Sequence, residues 1–99
     1  MAFVQIIDLE IDASRYGEAV ALEEEWRART TGQRTTIRNT WCRHHTDRDR
    51  YIDIVEFGSY ADAVRNSELP ATQEFAQRLE EIARSVRYVD LDVEQVHEG

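Results

Sequence analysis

The chain contains no lysine, one cysteine, one proline and no apolar run long enough to cross a membrane. Its 12 basic residues are all arginine and face 20 acidic ones, for a formal charge of −8. That deficit of positive charge excludes a sequence-independent grip on phosphate backbones, because such a grip is assembled from clustered basic side chains. Nucleic acid is therefore not an expected partner, and the missing lysines assign no function of their own. The lone Cys42 can make no intrachain disulfide and supplies no zinc framework. With neither a signal-like apolar N-terminus nor a membrane span, the expected setting is soluble and cytoplasmic.

What is present is the material of one small domain over residues 1–99, with 41% hydrophobic and 32% charged residues. A core of this size gains from apolar surface shared with a second copy. From Ala2 to Asp12 the residues Phe3, Val4, Ile6, Ile7, Leu9 and Ile11 read as a first strand. Asp12-Ala13-Ser14 suits a helix start, and Tyr16, Ala19, Val20 and Trp26 mark one stripe of a helix over Ser14 to Ala28. Gly32 is placed to end it. Two further strands, Thr35 to His45 and Arg50 to Phe57, form a hairpin across Thr46-Asp47-Arg48-Asp49. Ser59 with Asp62 resembles a capping arrangement for a short helix over Tyr60 to Arg65, which Leu69-Pro70 breaks. Pro70 opens another helix on the stripe Phe75, Leu79, Ile82 and Val86, and Val86 to Val96 alternates as a last strand. The order βαββαβ predicts an α+β, ferredoxin-like sandwich, an antiparallel sheet with both helices on one face.

Strand parity then selects a candidate site. An even-numbered hairpin turn pairs His44 with Tyr51, Cys42 with Asp53, Thr40 with Val55 and Arg38 with Phe57, and sends Trp41, Ile37, Ile52 and Ile54 to the helices. The uncovered face would then also carry Ile6, Asp8, Glu10, Tyr88, Asp90 and Asp92, while Ile7, Leu9, Ile11, Val89, Leu91 and Val93 would face the helices. A face so mixed is expected to meet the same face of a homodimer partner and enclose a pocket for a small hydrophobic or aromatic ligand. An odd-numbered turn exchanges the faces of the second strand and turns Asn39, Trp41, Arg43 and His45 inward instead.

In the even-turn reading His44 or Asp53 serves as a general base, and Arg38 with a tyrosine hydroxyl stabilises an enolate. Tyr51, Tyr60, Tyr88, Thr40 and Phe57 are the candidate substrate contacts. A structural ion pair between Arg38 and Asp53 is the competing explanation of the same charges. His44, Asp53 and Asp8 make too thin a ligand set for a metal, so none is expected. Trp26 and Trp41 read as core, and Glu23-Glu24-Glu25 as a solvated helix face.

The run Tyr51-Ile52-Asp53-Ile54-Val55-Glu56-Phe57-Gly58-Ser59-Tyr60-Ala61-Asp62-Ala63, with Asn66-Ser67-Glu68-Leu69-Pro70, Glu74-Phe75 and Leu79, resembles the antibiotic biosynthesis monooxygenase-like family of dimeric α/β barrels. The resemblance implies a ferredoxin-like protomer, dimerised through its sheets, with a ligand cavity between sheet and helices. It implies a cofactor-independent monooxygenase or isomerase acting on an aromatic or polyketide-like molecule, in which dioxygen reacts with a substrate carbanion. Two departures limit it. Val55 stands where a carboxylate is often found, and residues 60–85 contain no histidine to match the haem ligand of the haem-degrading members. No cofactor is therefore expected. The alternative is a non-catalytic dimeric domain for small-molecule binding or stress, its polar lining purely structural.

Overall fold

The computed structural model describes residues 2–99. Strand β1 (Phe3–Glu10) leads through a 3-10 turn at Ala13–Arg15 into helix α1 (Tyr16–Arg29). The hairpin of β2 (Thr36–Arg43) and β3 (Arg50–Phe57) follows, then α2 (Tyr60–Glu68), α3 (Pro70–Ile82) and β4 (Ser85–Asp92). Local chemistry sets these boundaries. The Asp12 carboxylate accepts from the Ser14 N–H at 3.0 Å and the Ser14 hydroxyl at 2.7 Å, satisfying donors that a helix start otherwise leaves orphaned. Gly32 turns the chain after α1 at φ +78°, where a side chain would be strained. Ser59 caps α2 by accepting from the Asp62 N–H at 3.1 Å, as its spacing predicts. Pro70 is the first residue of α3 and holds Leu69 extended, so α2 continues past Arg65 and stops at Glu68. Val86, placed by periodicity on the last helical stripe, lies in β4, because the chain turns extended at Ala83.

The sheet has the order β2-β3-β1-β4 with every neighbouring pair antiparallel. Phe3, Ile7 and Leu9 of β1 and Tyr51, Val55 and Phe57 of β3 form one buried cluster with Ala19 of α1 and Leu79 of α3. The helices thus cover one face, which is the ferredoxin-like α+β arrangement. Leu9, Ile11 and Leu79 have no accessible surface, and enclosing each contributes about 1.5–3 kcal/mol.

Two parity expectations are corrected. The His44 N–H donates to the Arg50 carbonyl at 2.8 Å, so the connection runs from His45 to Asp49 and is odd-numbered. Arg43, Trp41 and Asn39 consequently lie opposite Tyr51, Asp53 and Val55, and Arg38, Thr40 and Cys42 share the other face with Glu56, Ile54 and Ile52. A bulge at Ile37, between Thr36 and Arg38, returns Thr36 to the row of Phe57. The second correction concerns which face is covered. Ile7 pairs with Asp53 and Leu9 with Tyr51, so the aromatic set of β3 faces the helices and Ile52 and Ile54 face away. By the same rows Val86 and Tyr88 lie on the covered face, and Val89 and Leu91 on the open one. Both alternating sets of β3 and β4 carry apolar residues, and only their pairing with β1 decides between them.

Candidate functional site

Between the covered face and the helices lies a cavity of about 70 Å³, open to solvent on one side. Gln5, Asn39 and Val55 floor it, Trp26 of α1 and Phe75 of α3 roof it, and Asn66, Phe57 and Tyr88 complete its sides. Register explains the floor: Gln5, Val55 and Asn39 form one row across three strands, and the next row holds Ile7, Asp53 and Trp41. The roof is fixed where the Trp26 indole N–H donates to the Thr72 hydroxyl at 2.8 Å, tying α1 to α3.

Asp53 is the chemical centre of this region. Its side chain is 1% exposed and makes no ion pair. Burial, reinforced by the neighbouring Glu23 carboxylate and opposed by a hydrogen bond from Asn39, pushes its carboxyl from 3.8 up to about 7. Glu23 reaches over from α1, its Oε1 accepting from the Trp41 indole N–H at 3.0 Å. Among the described residues four buried side-chain oxygens have no protein hydrogen-bond partner: Oε2 of Glu23, Oδ1 of Asn39 and Oδ1 of Asn66 on residues that line the cavity, and Oδ1 of Asp53 in the adjoining row. Leaving one such group unpaired costs about 1–3 kcal/mol, which a donor entering the cavity, water or ligand, can offset.

The candidate residues read from sequence divide sharply. Phe57 and Tyr88 line the cavity, Asp53 lies buried in the sheet row adjoining its floor, and burial followed by the nearby Glu80 raises the Tyr88 phenol above its ordinary range. Tyr51 is buried beside them, stacked on Tyr16 with ring centres 4.4 Å apart. Arg38 lies on the opposite face, its Nε donating to Glu56 at 2.6 Å, and Thr40 shares that face. An Arg38 and Asp53 pair is therefore excluded, because the two side chains project from opposite sides of the sheet. His44 projects into the hairpin loop, where its Nδ1 accepts from the backbone N–H groups of Thr46 at 3.3 Å and Asp47 at 2.8 Å. It shapes the turn and does not approach the cavity. Tyr60 is 62% exposed and packs edge-on against Phe3. Among the described residues no group of three or more His, Cys, Asp or Glu side chains is gathered closely enough to hold a metal ion.

Sequence reasoning missed Glu23 and Asn66, and turned Asn39 inward only in its odd-turn alternative. A signal for Glu23 existed: it lies four residues after Ala19 and three before Trp26, on the buried stripe of α1. Asn39 follows from the odd-turn parity, whereas nothing in the sequence distinguishes Asn66 from an ordinary polar residue on a short helix.

The fold is the ferredoxin-like α+β arrangement, which solved structures of proteins named antibiotic biosynthesis monooxygenases share. No protein-family model matches the chain, and no curated protein matches it in sequence. Among solved structures, the cofactor-independent oxygenase SnoaB from Streptomyces nogalater superposes with a TM-score of 0.80 at 14% identity, covering 96% of this chain and 95% of that one. An antibiotic biosynthesis monooxygenase matches with a TM-score of 0.74, also at 14% identity, over 96% and 100% of the two chains. A protein from Methanosarcina mazei matches with a TM-score of 0.79 at 10% identity, over 92% and 91%. These likenesses establish the fold.

Proposed function

We propose that the chain is a cofactor-independent monooxygenase or isomerase acting on a small aromatic molecule bound between sheet and helices, with Asp53 as the proton acceptor. The observation that carries this is one buried carboxyl, poised near pH 7 in the sheet row that adjoins the floor of an aromatic-walled cavity. An acceptor with that proton affinity can take a proton from an acidic C–H or phenolic O–H of a bound ring. In the monooxygenase case dioxygen then reacts with the carbanion. In the isomerase case the proton returns to another carbon. The volume of about 70 Å³ excludes a fused polyketide and lies below the roughly 150 Å³ of a cavity that encloses benzene, so a single ring occupies it only in part or with movement of the walls.

The active form in this proposal is a homodimer. The open sheet face presents Val4, Ile6, Ile52, Ile54, Val89 and Leu91, flanked by the Arg38–Glu56 and Arg50–Asp8 ion pairs. A contiguous apolar stripe with a charged rim suits the same face of a second copy. The competing reading, a non-catalytic binding domain, draws on a different observation: no cationic side chain lines the cavity to hold an enolate. Oxygen uptake and substrate loss across a panel of hydroxylated single-ring aromatics separates the two. Turnover should rise with pH through about 7 and fall by about 10²–10⁴-fold in Asp53→Asn. Binding without turnover by any member would leave the domain non-catalytic.

A further inference from the structure

The unpartnered atoms around the cavity are all oxygens, and they come from four different elements. Glu23 belongs to α1, Asn39 to β2, Asp53 to β3 and Asn66 to α2. Asn66 is 7% exposed and lines the cavity itself, so the set is more than an acidic pair that happens to be buried. Glu23 brings a carboxyl group to the lining itself, and among the described residues no basic side chain lines the space to balance it. The nearest guanidinium groups are committed elsewhere. Arg34 lies over the Trp26 ring at 5.7 Å and donates to the Arg27 carbonyl, and Arg43 lies over the Tyr51 ring at 5.5 Å and donates to the Arg48 carbonyl. The walls are aromatic, with Trp26, Phe57, Phe75 and Tyr88 presenting rings to the space.

Acceptors without donors, negative charge without a counter-ion and ring faces together describe one kind of occupant. We propose that the cavity is a binding site for a small organic cation, an amine in its ammonium form, held by the oxygens of Glu23, Asn39 and Asn66, with Asp53 in the adjoining row of the sheet, against the ring of Trp26 or Phe75. An ammonium group carries up to three N–H donors, which can satisfy several of these oxygens at once. Its charge is matched by charge-assisted hydrogen bonds and by attraction to the ring faces. An anionic ligand meets only like charge there, and a neutral alcohol brings a single donor. The chain's net charge of −8 further favours the approach of a cation. This inference rests on the reading of the cavity as the ligand site, and holds whether or not chemistry follows binding.

Three probes of nearly equal size and different charge test it: benzylamine, benzyl alcohol and benzoate, titrated calorimetrically into the purified chain at neutral pH. Benzylamine should bind about tenfold or more tightly than benzyl alcohol, and benzoate should not bind. In E23Q, which keeps the side-chain shape, the preference for the amine should shrink toward equality, with the circular dichroism spectrum unchanged. Equal binding of amine and alcohol, or a preference for benzoate, overturns the charge assignment and leaves the cavity a ligand site. Silence from all three probes overturns both, the orphaned oxygens then being served by water.

Discussion

At the scale of single residues, Asp53 and His44 exchange the prominence that residue type alone suggests. An imidazole is the usual proton carrier near neutrality, but His44 spends its Nδ1 lone pair on two backbone donors of a surface loop. A carboxyl is ordinarily ionised at that pH, yet burial and Glu23 bring Asp53 into the neutral range. His44→Ala should therefore leave turnover and ligand affinity within about twofold of wild type and cost roughly 0.5–1.5 kcal/mol of stability, measured by denaturant unfolding. A loss of activity comparable to that of Asp53→Asn would return His44 to the site. That Asp53 shares one face of β3 with Tyr51, Val55 and Phe57 was legible in the sequence, but its surroundings were not. Glu23 was hidden by two neighbouring glutamates that do face solvent, and its position on the buried stripe was the only clue.

At the scale of elements, turn chemistry and capping carried most of the information. Asp12, Gly32, Ser59 and Pro70 each end or begin an element for a local reason that needs no tertiary contact. Strand facing was less legible, because it depends on the parity of a loop and on partners distant in sequence. His45 to Asp49 forms the connection, and adding His45 to the turn separates Arg38, Thr40 and Cys42 from the face of Tyr51, Asp53, Val55 and Phe57. The same loop is tied to the rest of the fold, since the Ile11 N–H donates to the Asp49 carbonyl and Arg84 donates to the Asp49 carboxylate, at 2.8 and 2.9 Å. These bonds anchor the odd-numbered turn from outside the hairpin, where a reading of the hairpin alone finds no trace of them. The bulge at Ile37 has a parallel effect at the other end of β2, because it lets Thr36 and Asn39 both line the cavity although they are an odd number of residues apart.

At the scale of the whole molecule, sheet and helices divide the work. The covered face encloses the cavity, and the open face carries the apolar stripe that the proposed dimer would bury. Sedimentation equilibrium at micromolar concentration should return a dimer, and Ile54→Glu, which places a charge in the middle of the apolar stripe, should shift it toward monomer with the fold retained. A monomeric wild-type chain would remove the second copy from the account. The central claim, that Asp53 is a buried carboxyl poised near neutrality, has a whole-molecule consequence through proton linkage. Its folded value of about 7 stands above the ordinary 3.8, so between those limits the native state binds more protons than the unfolded chain. Stability attributable to this group is therefore full below about pH 3.8 and is lost as pH rises through about 7. The most direct measurement is the unfolding free energy of wild type and Asp53→Asn across that range. The prediction is that the variant gains on wild type progressively as pH climbs toward about 7, with the gap flat beyond. A difference that does not change with pH, or one that favours wild type increasingly toward neutrality, would contradict it.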